Sequence, residues 1–306
     1  MMKPWKLFSL AAVFAALLLS PAAARSAPPK TVRLLTIGNS FSGNATHYLG
    51  DLAKAGGNTL VHQPMSIGGA AMEVHWNHIQ ANEKDPADPN GLYGKKSLST
   101  TLGSNDWDFV TIQQASIKSH DVDTYRPFAT QLQEYVKKHA PKAELLLHQT
   151  WAYRVDDPRF SPKAAAGEPK TQEEMYSMLS AAYKSIAKEL GVRRIPVGDA
   201  FHLADTDPAW AYKPDTKFDR STAAAPALPD QTHSLHAGWR WDSKTGKLGM
   251  DGHHANTAGE YLGACVWYEV LFKESAVGNT FAPAGLKPED VKYLQDVAHR
   301  AVEAAR

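Results

Sequence analysis

The stretch Val32-Arg33-Leu34-Leu35-Thr36-Ile37-Gly38-Asn39-Ser40-Phe41-Ser42 decides how this chain is read. Val32 to Ile37 is a short apolar-rich run of the kind that forms a buried strand, and it stops at a glycine. Gly38 permits a tight turn, so Ser40 stands exposed at the strand's end. Far downstream, Asp251-Gly252-His253-His254 sets an acid and an imidazole three residues apart. A serine needs a base to become a nucleophile and the base needs an orienting carboxylate, in any order along the chain.

Working outward, four further strands are predicted: Thr59 to Met65, Phe109 to Gln113, Leu145 to Gln149 and Arg194 to Val197. Helical periodicity fills the gaps. Met175, Met178, Leu179, Ala182, Ile186 and Leu190 repeat at three- and four-residue intervals from Thr171 to Leu190, with Thr171 and Glu174 as a capping box. Thr257 and Glu260 make a second capping box before a helix that is apolar nearly all round, and an amphipathic helix follows Pro288. Alternating strands and helices imply an α/β fold: a three-layer sandwich whose central parallel sheet has about five strands. In such sheets chemistry sits at the carboxyl ends of the strands. Ser40, Gly68-Gly69, Gln113-Gln114 and Thr150-Trp151 all fall at that rim.

The termini and composition bound the rest. Met1 to Lys6 is basic, Leu7 to Leu19 is apolar, and Ala22-Ala23-Ala24 suits a signal peptidase, so residues 1–24 read as a secretory signal. The apolar run is short of the roughly 20 residues that span a bilayer, which argues against stable membrane insertion. Export to a periplasm or the medium follows. Residues 25–306 then form a single domain with long loops at about 82–106, 152–170 and 203–250. Cys265 is the only cysteine, so no intrachain disulfide forms, and its apolar surroundings mark it as a core thiol. A formal net charge of +1 with no basic run speaks against nucleic acid as a partner.

Gly38-Asn39-Ser40-Phe41-Ser42 resembles the first block of the SGNH (GDSL-like) hydrolase superfamily, with Asn where Asp is more usual. Asp251-x-x-His254 is similar to its last block. Ser66-Ile67-Gly68-Gly69 matches the glycine block, and the resemblance implies Gly69 as the oxyanion glycine. Where a Gly-x-Asn is expected after the third strand, Gln113-Gln114 stands instead. The wording around Trp107-Asp108, Gln149-Thr150-Trp151 and Trp267-Tyr268 looks like a branch known mainly as a domain of unassigned function.

The residue chemistry gives the same roles. Ser40 is the nucleophile, His254 general base and then general acid, and Asp251 fixes the imidazole tautomer. Ser40 and Gly69 offer backbone N–H groups to an oxyanion, and the amide of Gln113 or Gln114 offers a third donor. Adjacent strand residues point oppositely, so one of the two serves. No cofactor and no metal are called for. Asn39, His75, Trp76 and Trp151 are the candidate substrate contacts, and the aromatic and imidazole groups His75, Trp76, His78, Trp151, Tyr153, His233, His236, Trp239 and Trp241 suit a sugar. The expected activity is removal of an acyl group, acetyl above others, from a small-molecule or glycan ester. Two rivals are a metallohydrolase built on His233, His236, His253, His254 and Asp251, and a non-catalytic carbohydrate binder on a hydrolase fold.

Overall fold

The structure is a computed structural model that describes Met1 and residues 28–306; most of the expected export segment lies outside the described residues. In chain order the elements are β1 (Thr31–Gly38), α1 (Ser40–Thr46), α2 (Leu49–Ala55), β2 (Thr59–Ser66), α3 (Met72–Lys84), α4 (Leu98–Leu102), β3 (Phe109–Ile112), α5 (Phe128–His139), β4 (Glu144–His148), α6 (Gln172–Leu190), β5 (Arg193–Ile195), α7 (Val197–Asp205), β6 (His236–Trp241), β7 (Leu248–Ala255), α8 (Thr257–Phe272) and α9 (Pro288–Ala304). The first five strands form one parallel sheet in the order β2-β1-β3-β4-β5. Helices α3, α5 and α6 pack together over one side, and α2, α8 and α9 over the other.

Burial explains the order. Every residue of β3 is buried, as are the last four of β4, because both strands are covered on both faces. β2 is an edge strand, with half of its residues exposed, and tolerates Pro64 there. The register aligns the carboxyl ends: Gly38 faces Ser66, Ile37 faces Ile112, Ile112 faces Leu147, and His148 faces Ile195. α8 is buried all round, with Trp267 and Cys265 fully enclosed, and burial pushes the thiol far above its ordinary range.

Three sequence expectations are corrected. The stretch 203–250 is not one loop, because β6 and the first three residues of β7, paired as an antiparallel hairpin, lie inside it. Glycines and histidines interrupt its alternation, and Gly238, at φ 69°, sits at a register shift. Asp251 and His254 therefore both lie within β7. The caps also differ. Asn256, not Thr257, caps α8 by accepting from the Ala258 and Gly259 N–H groups, which frees Glu260 to accept from the Asn44 amide at 2.9 Å and tie α8 to α1. Thr171 caps α6 as expected, but Glu174 reaches back to the Lys170 N–H instead of the Thr171 N–H.

Candidate active site

Ser40 is the first residue of α1, directly after the strand turn. Asn39 caps that helix: its Oδ1 accepts from the Phe41 N–H at 3.0 Å, and its amide donates to the Ala70 carbonyl at 2.9 Å. The serine turn and the glycine turn are thereby tied together. Ser40 Oγ lies 2.9 Å from His254 Nε2, and His254 Nδ1 lies 3.0 Å from Asp251 Oδ2. Asp251 Oδ1 also accepts from the His254 backbone N–H at 3.0 Å. Burial of Asp251 works against its charge, but bonds from the His254 ring and backbone, with the two imidazoles nearby, outweigh it and hold the carboxyl well below the usual carboxylate range. An ionised Asp251 can only accept. The hydrogen on His254 must therefore sit on Nδ1, leaving Nε2 a lone pair toward the Ser40 hydroxyl.

Above Ser40, the turn Ile67–Ala70 closes by a bond from the Ala70 N–H to the Ile67 carbonyl. Gly69 adopts φ 66° there, and a Cβ at that position would meet open space. At the helix start, the Ser40 N–H has no intrahelical carbonyl to bond. The Asn39 amide, bonded to the Ala70 carbonyl, links the two turns that carry these donors.

A family model described as a domain of unknown function, DUF4886, matches residues 33–210. The chain belongs to the DUF4886 family. A solved DUF4886 family protein from Bacteroides uniformis is 27% identical, with 89% of this chain and 95% of that chain covered and a TM-score of 0.67. Lower likenesses include a candidate SGNH hydrolase from Slackia heliotrinireducens, at 20% identity over 78% of this chain and 98% of that one, TM-score 0.48. A carbohydrate acetylesterase from Sinorhizobium meliloti, Est24, is 17% identical over 55% of this chain and 85% of that one, TM-score 0.33. No curated protein matches the sequence. Ser40 falls inside the DUF4886 match; Asp251 and His254 lie beyond it.

In this DUF4886 chain the glutamines do not fill the place expected of them. Gln113 spends its amide on Asn39 Oδ1 at 2.8 Å and on the Gln114 carbonyl at 3.3 Å. Gln114 spends its own on the Thr124 carbonyl and hydroxyl. Neither has an N–H left for an oxyanion, because the longer side chain reaches back into the core. Gln113 instead braces the serine turn through Asn39, and its Oε1 accepts from Ser42.

Most expected substrate contacts are corrected too. Asn39 is 2% exposed, its Oδ1 taken by the Phe41 N–H and the Gln113 amide and its own amide bonded to the Ala70 carbonyl. His75 is buried against the Tyr93 hydroxyl, and burial lowers it to about 4. Trp76 packs edge-on against Tyr135 between α3 and α5. Trp151 is wholly buried: it stacks on Phe201, packs on Phe41 and donates to the His253 carbonyl at 2.9 Å, pinning β7 against α1. Trp241 donates to the Ala227 carbonyl and Trp239 lies under Arg220, so both hold the hairpin loop in place. The metal set of the rival reading is not assembled. His236 bonds the Ala152 carbonyl and His233 stacks on Trp210, while Asp251, His253 and His254 stay together.

Two features escaped sequence reasoning. Under Ser40, Ser42 and His148 form a buried pair at 3.3 Å, and burial lowers His148 to about 3. A histidine closing the run Leu145-Leu146-Leu147 was the available signal. Beside His253, whose ring meets Tyr153, a cavity of about 370 Å³ is lined by Tyr153, Arg159, Phe160, Ile117, His120 and Met175 among others. It brings together two distant stretches, around 117–120 and 153–175, which no local pattern announces. A larger cavity of about 690 Å³, around Gly191–Arg194 and Val302–Arg306, lies by the opening residues of β5, at the sheet end away from Ser40.

Proposed function

We propose that this DUF4886 protein is an exported serine esterase that hydrolyses an acyl ester, acetyl on a carbohydrate being the substrate class, through an acyl-enzyme. The supporting observation is the continuous chain Asp251–His254–Ser40, with links of 3.0 and 2.9 Å, at the carboxyl rim of the sheet. The Ser40 hydroxyl attacks the ester carbonyl while its proton passes to His254 Nε2. Backbone N–H groups of Ser40 and Gly69 receive the oxyanion; one such donor contributes about 3 kcal/mol to the transition state. The protonated imidazole, steadied by Asp251, hands its proton to the departing alcohol. Water then repeats the sequence on the acyl-serine.

The cavity beside His253 receives the remainder of the ester. Phe160, Ile117 and Met175 suit the apolar face of a ring, while His120, Arg159 and Glu168 suit its hydroxyls. Acetate release from acetylated glycans by the purified protein tests the reading. Loss of release in Ser40→Ala supports it, and equal release by that variant refutes the nucleophile. The same protein binding glycans without turnover would favour the non-catalytic binder.

A further inference from the structure

We infer that Asp251, His253 and His254 form an inhibitory binding site for a borderline-soft divalent cation of the zinc type. Both imidazoles turn the same nitrogen to the same carboxylate: His253 Nδ1 lies 3.2 Å from Oδ1 and His254 Nδ1 lies 3.0 Å from Oδ2. All three ligating atoms lie within 4.8 Å of one another. Tetrahedral zinc with bonds of about 2.0–2.1 Å sets its donors about 3.3–3.4 Å apart, so small side-chain rotations complete the site. The carboxylate is largely buried, at 12% exposed, and the two rings are 26% and 36% exposed, which gives an ion a path and leaves its fourth position to water. Arg240, 66% exposed, stands 3.5 Å from Asp251 Oδ2 and opposes the incoming charge, which moderates affinity without blocking access.

Inhibition follows from proton placement, and this step rests on the esterase reading above. A metal ion takes the lone pair of Nδ1, so the single hydrogen of neutral His254 moves to Nε2. Nε2 then faces Ser40 Oγ as a donor and cannot accept its proton. His253 undergoes the same shift, and no oxidation or net proton loss is required. The cation is thus a brake on the triad, the opposite of a catalytic metal.

Calorimetric titration of the purified protein with zinc chloride, run beside hydrolysis of a nitrophenyl acetate, tests the inference. One ion is expected per chain, in the parent and in Ser40→Ala alike. His253→Gln should bind about 100-fold more weakly or worse, since even outer-shell changes cost about 10–100-fold. Arg240→Gln, an exposed change, should bind severalfold more tightly. Hydrolysis should fall as the site fills and return on adding a chelator. Absence of binding, unaltered affinity in His253→Gln, or hydrolysis that rises with zinc overturns the inference. Binding in Ser40→Ala is read without any turnover, so failure of the esterase reading leaves a separate signature: parent and Ser40→Ala hydrolysing equally.

Discussion

Replacing Asp251 by Asn probes the tautomer on which the proposed mechanism turns. Asp251 Oδ1 accepts from the His254 backbone N–H at 3.0 Å and Oδ2 from His254 Nδ1 at 3.0 Å, so the carboxylate uses both oxygens on one residue. An amide has one oxygen. If it keeps the backbone bond, its NH₂ group occupies the Oδ2 place and faces Nδ1, which must then become an acceptor. The ring hydrogen moves to Nε2 and points at Ser40 Oγ across 2.9 Å. A wrong tautomer in this role costs about 10⁴ in kcat, or about 5.4 kcal/mol at 1.36 kcal/mol per decade. Binding of substrate should hardly change, because Asp251 is buried behind the imidazole. Steady-state kinetics on a short nitrophenyl ester, with circular dichroism to confirm folding, reads both quantities. A folded Asp251→Asn protein that keeps kcat within tenfold of the parent refutes the assigned roles.

Other consequences are open to measurement. Burial holds His75 at about 4, His148 at about 3 and His236 at about 4, so all three stay neutral in the fold and take up protons on unfolding. Their folded values are depressed, so stability falls as the pH drops from about 6.5 toward 4, by about 2 kcal/mol per imidazole at pH 5. Urea unfolding at pH 7 and pH 5 should differ accordingly; equal midpoints would contradict the burial. Gly38→Ala would drive a Cβ into the Ser42 hydroxyl and the Gln113 side chain beneath the nucleophile, costing about 1–3 kcal/mol and lowering kcat. Thermal melting and rate together check it, and an unchanged rate would show that the turn has slack. Trp151→Ala should cost about 3–5 kcal/mol through the cavity and the lost bond to His253, measured by denaturant titration.

The sheet was legible because β1, β3 and β4 are short and largely apolar, and because glycines follow the first two strands, Gly38 closing β1 and Gly68-Gly69 coming just after β2. The helices at Gln172–Leu190 and Pro288–Ala304 were legible through their apolar stripes and caps. The hairpin at His236–Trp241 and Leu248–Ala255 was not, since its stability comes from Arg154, buried among Asp156, Gln231 and Ser234, and from Trp151. Those are long-range contacts without local periodicity. Ser40, Asp251 and His254 stood out by type and spacing. Which polar groups near them were already engaged did not: Gln113, Gln114 and Asn39 are chemically suited to substrate, and only their three-dimensional partners show that they brace the turn. Aromatic residues misled for a related reason, as Trp76 and Trp151 carry more value as packing than as exposed platforms.

Treating the folded protein with a fluorophosphonate and mapping the adduct by mass spectrometry tests the central claim most directly. A single adduct on the peptide carrying Ser40, absent when His254 is replaced by Ala, is the predicted result. Folded protein that stays unlabelled, or labels at another serine, contradicts the account.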